Sequence, residues 1–146
     1  TNPLILPSVF SIEILFEQHQ QLYQYATLLS NFTDTSGILL ANKSGTNNYL
    51  LGINGRNYEL PFKQNKWLYC TFNFFTDHID VYQNGEKLFS LPNEGTIKNS
   101  SMPFTIGNYG MFRNYFGNIA EISIKSQPVS AEDCKSTWTL IEKEYH

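Results

Sequence analysis

The residues in this 146-residue chain that are best placed for chemistry are two acids near its start. Glu13 and Glu17 lie four residues apart with Leu15 between them. On a strand such residues share one face, and two carboxylates that flank a glycosidic bond can act as acid and nucleophile. We favour the other interpretation, in which both are solvated acids on a strand face, because acids are rarely buried unless paired.

Other catalytic and metal-binding patterns are weaker. No serine lies in a G-x-S-x-G context, so covalent catalysis has no candidate nucleophile. The histidines are too isolated in sequence to suggest a zinc site; they are His19, His78 and His146. Calcium needs a cluster of oxygen ligands, and the predicted loop acids are Asp34, Asp77 and Asp80. We expect no catalytic residue and no resident cofactor, with calcium as the one metal that the sequence leaves open.

A loop at 108–115 carries the most suggestive binding residues. Aromatic faces stack on the C–H face of sugars, Arg and Asn supply directional hydrogen bonds, and the same types are favoured at protein hot spots. The candidate ligand-binding residues of this loop are Tyr109, Met111, Phe112, Arg113, Asn114 and Tyr115. A second loop, 18–25, adds Tyr23 and Tyr25. The alternatives are that Phe112 and Tyr115 cover one end of the fold, and that 18–25 is an ordinary solvated loop.

Alternating hydrophobicity predicts the elements that position these loops. Phe10, Ile12, Ile14 and Phe16 fall on one side of a run whose other side is polar, which indicates a strand with one buried face. Similar short runs predict further strands at 25–29, 37–41, 48–53, 67–75, 79–83, 87–90, 104–106 and 116–124. Strands therefore dominate the chain.

Local turn and cap chemistry marks the boundaries. Asn54-Gly55 and Asn84-Gly85 predict hairpins, because both residue types tolerate the positive φ of a type I′ turn. Short strands without interleaved helices favour a sandwich or barrel. Ser130 followed by acids is typical of a helix start, and this helix would continue through Trp138 and Ile141.

Composition bounds the function. Apolar residues at 41% and aromatics at 15% predict one folded domain, 1–146. A net charge of −3 with scattered lysines argues against nucleic acid, and no apolar run approaches the ~20 residues that cross a bilayer, so we expect no membrane insertion. Cys70 and Cys134 form either one disulfide or two buried thiols.

The order of several motifs resembles one family. A strand opens at Trp67, a second ends in Tyr82-Gln83-Asn84-Gly85, Phe104-Thr105-Ile106-Gly107 follows, and Gly117-Asn118-Ile119-Ala120-Glu121 precedes the Ser130 helix start. This order is similar to that of laminin-G-like and concanavalin A-like domains. The resemblance implies an all-β, two-sheet antiparallel jelly-roll sandwich with a short C-terminal helix. It also implies that Trp67 is a buried anchor and that Gly85 has a positive φ.

The resemblance also implies a class of function. Laminarinase-type hydrolases share the fold and place an Asp between their two acids, where this chain has Leu15, and the galectin signature is absent. We therefore expect a non-catalytic carbohydrate-binding or adhesive module on an extracellular, toxin or virion-surface protein, as part of a larger chain or assembly. Its partner would be a glycan or a protein surface. The alternatives are a structural or protein-interaction domain and, third, a glycoside hydrolase. Three N-x-S/T sequons, at Asn31, Asn42 and Asn99, are compatible with secretion.

Overall fold

The architecture is all-β with one C-terminal helix. A computed structural model describes residues 5–21, 23–43, 48–93, 95–109 and 113–145. Within these residues the elements are β1 Phe10–Glu17, β2 Thr27–Ser30, β3 Ile38–Asn42, β4 Asn48–Ile53, β5 Arg56–Pro61, β6 Trp67–Phe74, β7 His78–Gln83, β8 Glu86–Pro92, β9 Thr105–Ile106, β10 Ile119–Lys125 and α1 Ala131–Glu144.

The strands form two five-stranded sheets, and the pairs within each sheet are antiparallel. One sheet has the order β10-β1-β6-β7-β8 and the other has the order β5-β4-β3-β2-β9. The chain divides into two compact units, and each unit contains one sheet. The helix belongs to the unit that contains β1.

The predicted strand at the start of the chain is confirmed. In β1 the apolar side chains alternate as expected, and Ile12 and Ile14 lie opposite Phe72 and Cys70 of β6. The rings of Phe10 and Phe74 stack with centroids 4.4 Å apart. Burial of such side chains stabilises the sheet by about 1.5–3 kcal/mol each, so this central pair of strands anchors its unit.

The polar face of β1 is not solvated as we expected. Ser11 is fully buried and donates through Oγ to the Gln127 carbonyl at 2.8 Å. Glu13 is also buried. The chain that follows β10 crosses this face of the sheet and covers it. No local pattern around β1 predicts that contact.

Both predicted hairpin turns are confirmed. Asn54 and Gly55 have φ of 50° and 85°, and Asn84 and Gly85 have φ of 51° and 82°. The first turn joins β4 to β5 and the second joins β7 to β8. The positive φ predicted for Gly85 therefore holds.

The predicted helix is confirmed together with its cap. The Ser130 side chain accepts a hydrogen bond from the Asp133 N–H at 3.1 Å, which satisfies one of the unpaired amides of the first turn. Buried Asn73 of β6 fixes the approach to the helix, because it accepts from the Val129 N–H at 2.9 Å and donates to the Val129 carbonyl at 2.7 Å. The helix start is thus tied to the centre of the sheet.

Some strand boundaries differ from the prediction. β5 was not predicted as a strand, although Tyr58 and Leu60 alternate with polar residues after the Asn54-Gly55 turn. It lies at a sheet edge, where charged and polar residues are common. The run predicted to begin at Tyr25 starts at Thr27, and the run predicted from Phe116 starts at Ile119.

Two side-chain expectations are resolved. Cys70 and Cys134 are buried free thiols rather than a disulfide, and burial raises the pKa of both. Trp67 is half-buried instead of forming a core anchor, and its ring packs 4.7 Å from that of Tyr145.

Two of the three sequons are unsuited to glycosylation of the folded protein. Asn31 and Asn42 are buried, and Asn31 Oδ1 accepts from the Ile38 N–H at 2.8 Å. Asn99 is exposed. Only this last sequon is placed where a glycan would fit.

Candidate binding site

The two loops singled out in the sequence meet in one cluster. The guanidinium carbon of Arg113 lies 5.5 Å from the centroid of the Tyr25 ring and 5.3 Å from that of the Tyr109 ring. Both distances fall within the roughly 6 Å range of cation–π attraction. Tyr25, Tyr109 and Arg113 are called the Tyr–Arg cluster below.

Backbone contacts hold the Tyr–Arg cluster in place. The Thr27 N–H donates to the Arg113 carbonyl at 2.8 Å, and Thr27 forms an isolated parallel bridge with Asn114. The Tyr115 N–H donates to the Gly107 carbonyl at 2.8 Å. Loop 108–115 is therefore fixed both to β2 and to the residue that follows β9.

Two members of the cluster have unusual backbone conformations. The described non-glycine residues with positive φ are Tyr25 at 58°, Asn54 at 50°, Asn84 at 51° and Arg113 at 55°. The asparagines lie in type I′ turns, where this conformation is expected. Tyr and Arg adopt it rarely, at a cost of about 1–3 kcal/mol each, and such strain concentrates at functional sites.

A buried glutamine links the same two loops a few residues away. Gln21 Nε2 donates to the Phe116 carbonyl at 2.8 Å, and the Phe116 N–H donates to Gln21 Oε1 at 2.7 Å. Gln21 Nε2 also donates to the His19 carbonyl, and the His19 ring meets the Phe116 ring edge-on. Sequence reasoning missed this clamp, because nothing near Gln21 in the chain indicates its distant partner.

The remaining predicted site residues are only partly gathered by the structure. Asn114 and Tyr115 follow Arg113 directly, Asn114 exposed and Tyr115 half-buried. Tyr23 is 53% exposed in the other loop, and no contact of its ring with the cluster is seen. Met111 and Phe112 lie outside the described residues.

A second polar site, which the sequence did not suggest, surrounds Glu13 in the other unit. Glu13 accepts hydrogen bonds from the Tyr69 hydroxyl, from Ser123 Oγ at 3.0 Å and from Lys125 Nζ at 2.7 Å. A pocket of about 240 Å³ opens beside it, bordered by Thr137 and Ile141 of α1. The three hydrogen-bond partners come from β6 and β10 and the pocket border from α1, so spacing around Glu13 gave no signal.

The charge state of Glu13 follows from its surroundings. Burial raises the pKa of this carboxyl, but the hydrogen bonds from Lys125, Tyr69 and Ser123 outweigh burial and leave the pKa below its ordinary value. Glu13 is therefore an ionised, paired carboxylate at neutral pH. It is neither the solvated acid we expected nor a carboxyl held protonated to act as a general acid.

Glu17, which lies four residues further along β1, has its own partners. Glu17 Oε2 accepts from Asn118 Nδ2 at 2.7 Å, and Glu17 Oε1 lies 3.8 Å from Lys66 Nζ. The two carboxylates that the sequence suggested as a pair are thus each engaged by neighbouring side chains.

Metal-ligating arrangements are not seen in the part of the chain that the structure describes, where no group of three or more His, Cys, Asp or Glu side chains converges. Asp80 lies in β7 rather than in a loop, and it bonds Ser90 at 3.0 Å and Lys87 at 3.2 Å. Asp77 bonds the His78 ring at 2.6 Å. Across the described ranges, no helix has the length and apolarity needed to traverse a bilayer.

Solved structures resemble this chain over most of its length. A candidate carbohydrate-binding protein from Bacteroides ovatus superposes with a TM-score of 0.70 at 21% identity, covering 92% of this chain and 43% of that protein. Domain 4 of an extracellular GH43 arabinanase from Geobacillus stearothermophilus, in complex with arabinotriose, gives 0.70 at 16% identity, covering 92% and 68%. The binding domain of botulinum neurotoxin DC, in complex with rat synaptotagmin II, gives 0.66 at 14% identity, covering 92% and 36%.

These likenesses establish the class of fold. At such identities they show a two-sheet antiparallel β-sandwich with a C-terminal helix, as predicted. The chain spans 43% of the Bacteroides protein and 36% of the toxin domain, so it matches one portion of each. Neither a protein-family model nor a curated protein sequence matches the chain.

Proposed function

We propose that this chain is a non-catalytic carbohydrate-binding module and that the Tyr–Arg cluster is its binding site. The observation that carries the proposal is the contact of the Arg113 guanidinium with both tyrosine rings, which come from two distant loops. Two separate loops converge on one exposed arginine, and a ligand would meet rings and hydrogen-bond donors together.

The chemistry of the cluster suits a sugar. Tyrosine rings offer flat apolar faces for the C–H face of a pyranose. The Tyr109 hydroxyl donates to the Phe32 carbonyl at 3.4 Å, which orients that ring. The Arg113 and Asn114 side chains supply several donors at the exposed edge. Because Thr27 and Gln21 fix the loops, little conformational entropy would be lost on binding.

Structural relatives support the proposal at the level of class. The arabinanase domain was solved with arabinotriose. Cell entry of botulinum neurotoxin type C, which is structurally similar to this chain, depends on interaction with two ganglioside molecules. We extend the resemblance to laminin-G-like and concanavalin A-like domains, and we place the module on an extracellular or surface protein. The arabinanase that carries the similar domain is itself extracellular.

Protein docking is the second candidate function, and exposed apolar side chains favour it. Ile106 is 57% exposed and Phe116 is 55% exposed, and both belong to the unit that contains the Tyr–Arg cluster. Aromatic residues and arginine are enriched at protein interfaces. The toxin domain bound to synaptotagmin II gives a precedent for this kind of partner on the same fold.

A glycan-array screen of the purified chain, in calcium and in EDTA, tests the leading function. The variants are Tyr25→Ala and Tyr109→Ala, with Tyr58→Ala of β5 as the matched control in the same unit. We expect binding to one glycan class in wild type and in the control, and a loss of at least about tenfold in each cluster variant, which corresponds to about 1.4 kcal/mol.

Thermal unfolding of each variant shows whether it is folded. If the folded wild-type chain binds no glycan on the array, the result contradicts glycan binding and favours docking to a protein. Glycan binding that persists in both cluster variants contradicts the assignment of the site.

A further inference from the structure

Arg113 differs from three lysines of this protein that are paired with acids. Lys43, Lys87 and Lys125 each have a carboxylate oxygen within 3.2 Å, contributed by Glu59, Asp80 and Glu13 respectively. Across the described residues, no Asp or Glu oxygen lies within ion-pair distance of the Arg113 guanidinium. Arg113 is nevertheless exposed and held by two rings and a backbone hydrogen bond.

The backbone conformation that holds Arg113 against the two rings costs free energy. The φ of 55° at Arg113 and of 58° at Tyr25 strains the backbone at both residues that make the contact. Arg113 is thus exposed and oriented by the two rings, and no acid among the described residues lies within ion-pair distance of it, so its charge is available to a partner outside the chain.

We propose that the Arg113 guanidinium binds the carboxylate of an acidic sugar, so that the ligands of the Tyr–Arg cluster are uronic-acid or sialic-acid glycans. This inference rests on the carbohydrate-binding function proposed above and narrows it to one ligand class. The tyrosine rings stack on the pyranose, and Arg113 pairs with its carboxylate.

The geometry of the two groups matches. A guanidinium presents its N–H donors as a planar fork that fits both oxygens of a carboxylate. Arg113 is exposed, so its N–H donors are accessible to a ligand. The two rings also limit the rotation of the long side chain, which reduces the entropy lost when the ion pair forms.

The test compares carboxylated glycans with neutral partners by isothermal titration calorimetry. One pair is tetragalacturonate and its carboxyl-reduced form, and the other pair is 3′-sialyllactose and lactose. The two pairs separate uronic acids from sialic acids. The variants are Arg113→Gln and, as matched control, Arg56→Gln. Arg56 is the other arginine of the chain and lies on the edge strand β5.

We expect wild type and Arg56→Gln to bind one carboxylated probe at least about tenfold more tightly than its neutral partner. The preference should disappear in Arg113→Gln, and it should weaken when salt is raised from 50 to about 200 mM. Equal affinity for the acidic and neutral members, or an unchanged preference in Arg113→Gln, would overturn the inference.

The same data separate this inference from the function on which it rests. Equal binding of both members that is lost in Tyr25→Ala and Tyr109→Ala would remove the acidic-sugar inference while leaving glycan binding intact. If these probes do not bind while neutral glycans on the array do, the acidic-sugar inference is likewise removed and glycan binding is left intact. No binding of any glycan would contradict both.

Discussion

At the scale of single residues, the conformations of Tyr25 and Arg113 carry information that their residue types alone do not. The sequence marked both as binding candidates because of their aromatic and hydrogen-bonding groups. Their positive φ values show in addition that the fold holds them in a costly conformation. Asn54 and Asn84 have the same conformation, but the hairpin turns account for it. Tyr25 also lies in a turn and Arg113 lies in a bend, so what sets them apart is residue type, since Tyr and Arg adopt this conformation rarely.

Glu13 shows the opposite relation between residue type and environment. An acid on a strand face was expected to meet solvent, yet it is buried and accepts hydrogen bonds from Tyr69, Ser123 and Lys125. Its lowered pKa means that the folded state favours the ionised form. The stability from this carboxylate is therefore present above its ordinary pKa of 4.5 and is lost as pH falls through the lowered value.

Replacing Glu13 with Gln should expose this pH dependence. Glu13→Gln removes the negative charge that Lys125 pairs with, so we expect a loss of about 1–3 kcal/mol in the free energy of unfolding at pH 7. The difference from wild type should shrink as the pH falls through the lowered pKa of Glu13, because the wild-type carboxyl then becomes protonated. Urea unfolding at pH 7, 5 and 3 measures both effects.

Glu121→Gln is the matched control for this experiment, since Glu121 is an exposed acid that borders the same pocket. It should keep the acid-side loss of stability seen in wild type. An unfolding profile for Glu13→Gln that runs parallel to wild type at all three pH values would show that the Glu13 cluster does not stabilise the ionised carboxylate.

At the scale of elements, the helix α1 is held against its sheet at two places. Asn73 bonds both backbone groups of Val129, just before the helix begins. The turn between β7 and β8 approaches the helix so closely that a Cβ on Gly85 would lie 2.9 Å from Lys135 Cα. A small residue at this turn is thus needed for helix packing as well as for the turn itself.

Two glycine substitutions separate these requirements. Gly85 and Gly95 both have positive φ, of 82° and 99°, but a Cβ on Gly95 would meet nothing within 4 Å. Both Ala variants should lose about 1–2 kcal/mol from backbone strain. Gly85→Ala should lose a further 1–3 kcal/mol or so, because the helix must move. Equal melting temperatures of the two variants would contradict the close seating of α1 on the turn.

Element predictions succeeded where the signal is local. The alternation in β1, the Asn-Gly turns and the Ser130 cap each depend on residues within one short segment, and all are present in the structure. Two features were missed. β5 was not recognised although the Asn54-Gly55 turn joins it directly to β4. The polar face of β1 is buried because the chain from Gln127 onward returns across it, and that partner is distant in sequence.

At the scale of the whole molecule, the sequence predicted the class of fold and marked the two loops that form the candidate site. Motif order indicated an antiparallel sandwich, which the two sheets and the similar solved structures show. Each candidate loop was recognised by composition. Their meeting at Arg113 depends on tertiary contacts, such as that of Thr27 with Arg113, which no single segment encodes.

The location of bound glycan tests the central claim most directly. We would titrate the ¹⁵N-labelled chain with the tightest glycan from the array and follow its amide resonances by NMR. The account predicts that the largest shifts fall at Tyr25, Thr27, Tyr109 and the residues from 113 to 115. Shifts concentrated instead at Ser123 and the other residues that border the Glu13 pocket would place the ligand in the other unit and contradict the assignment.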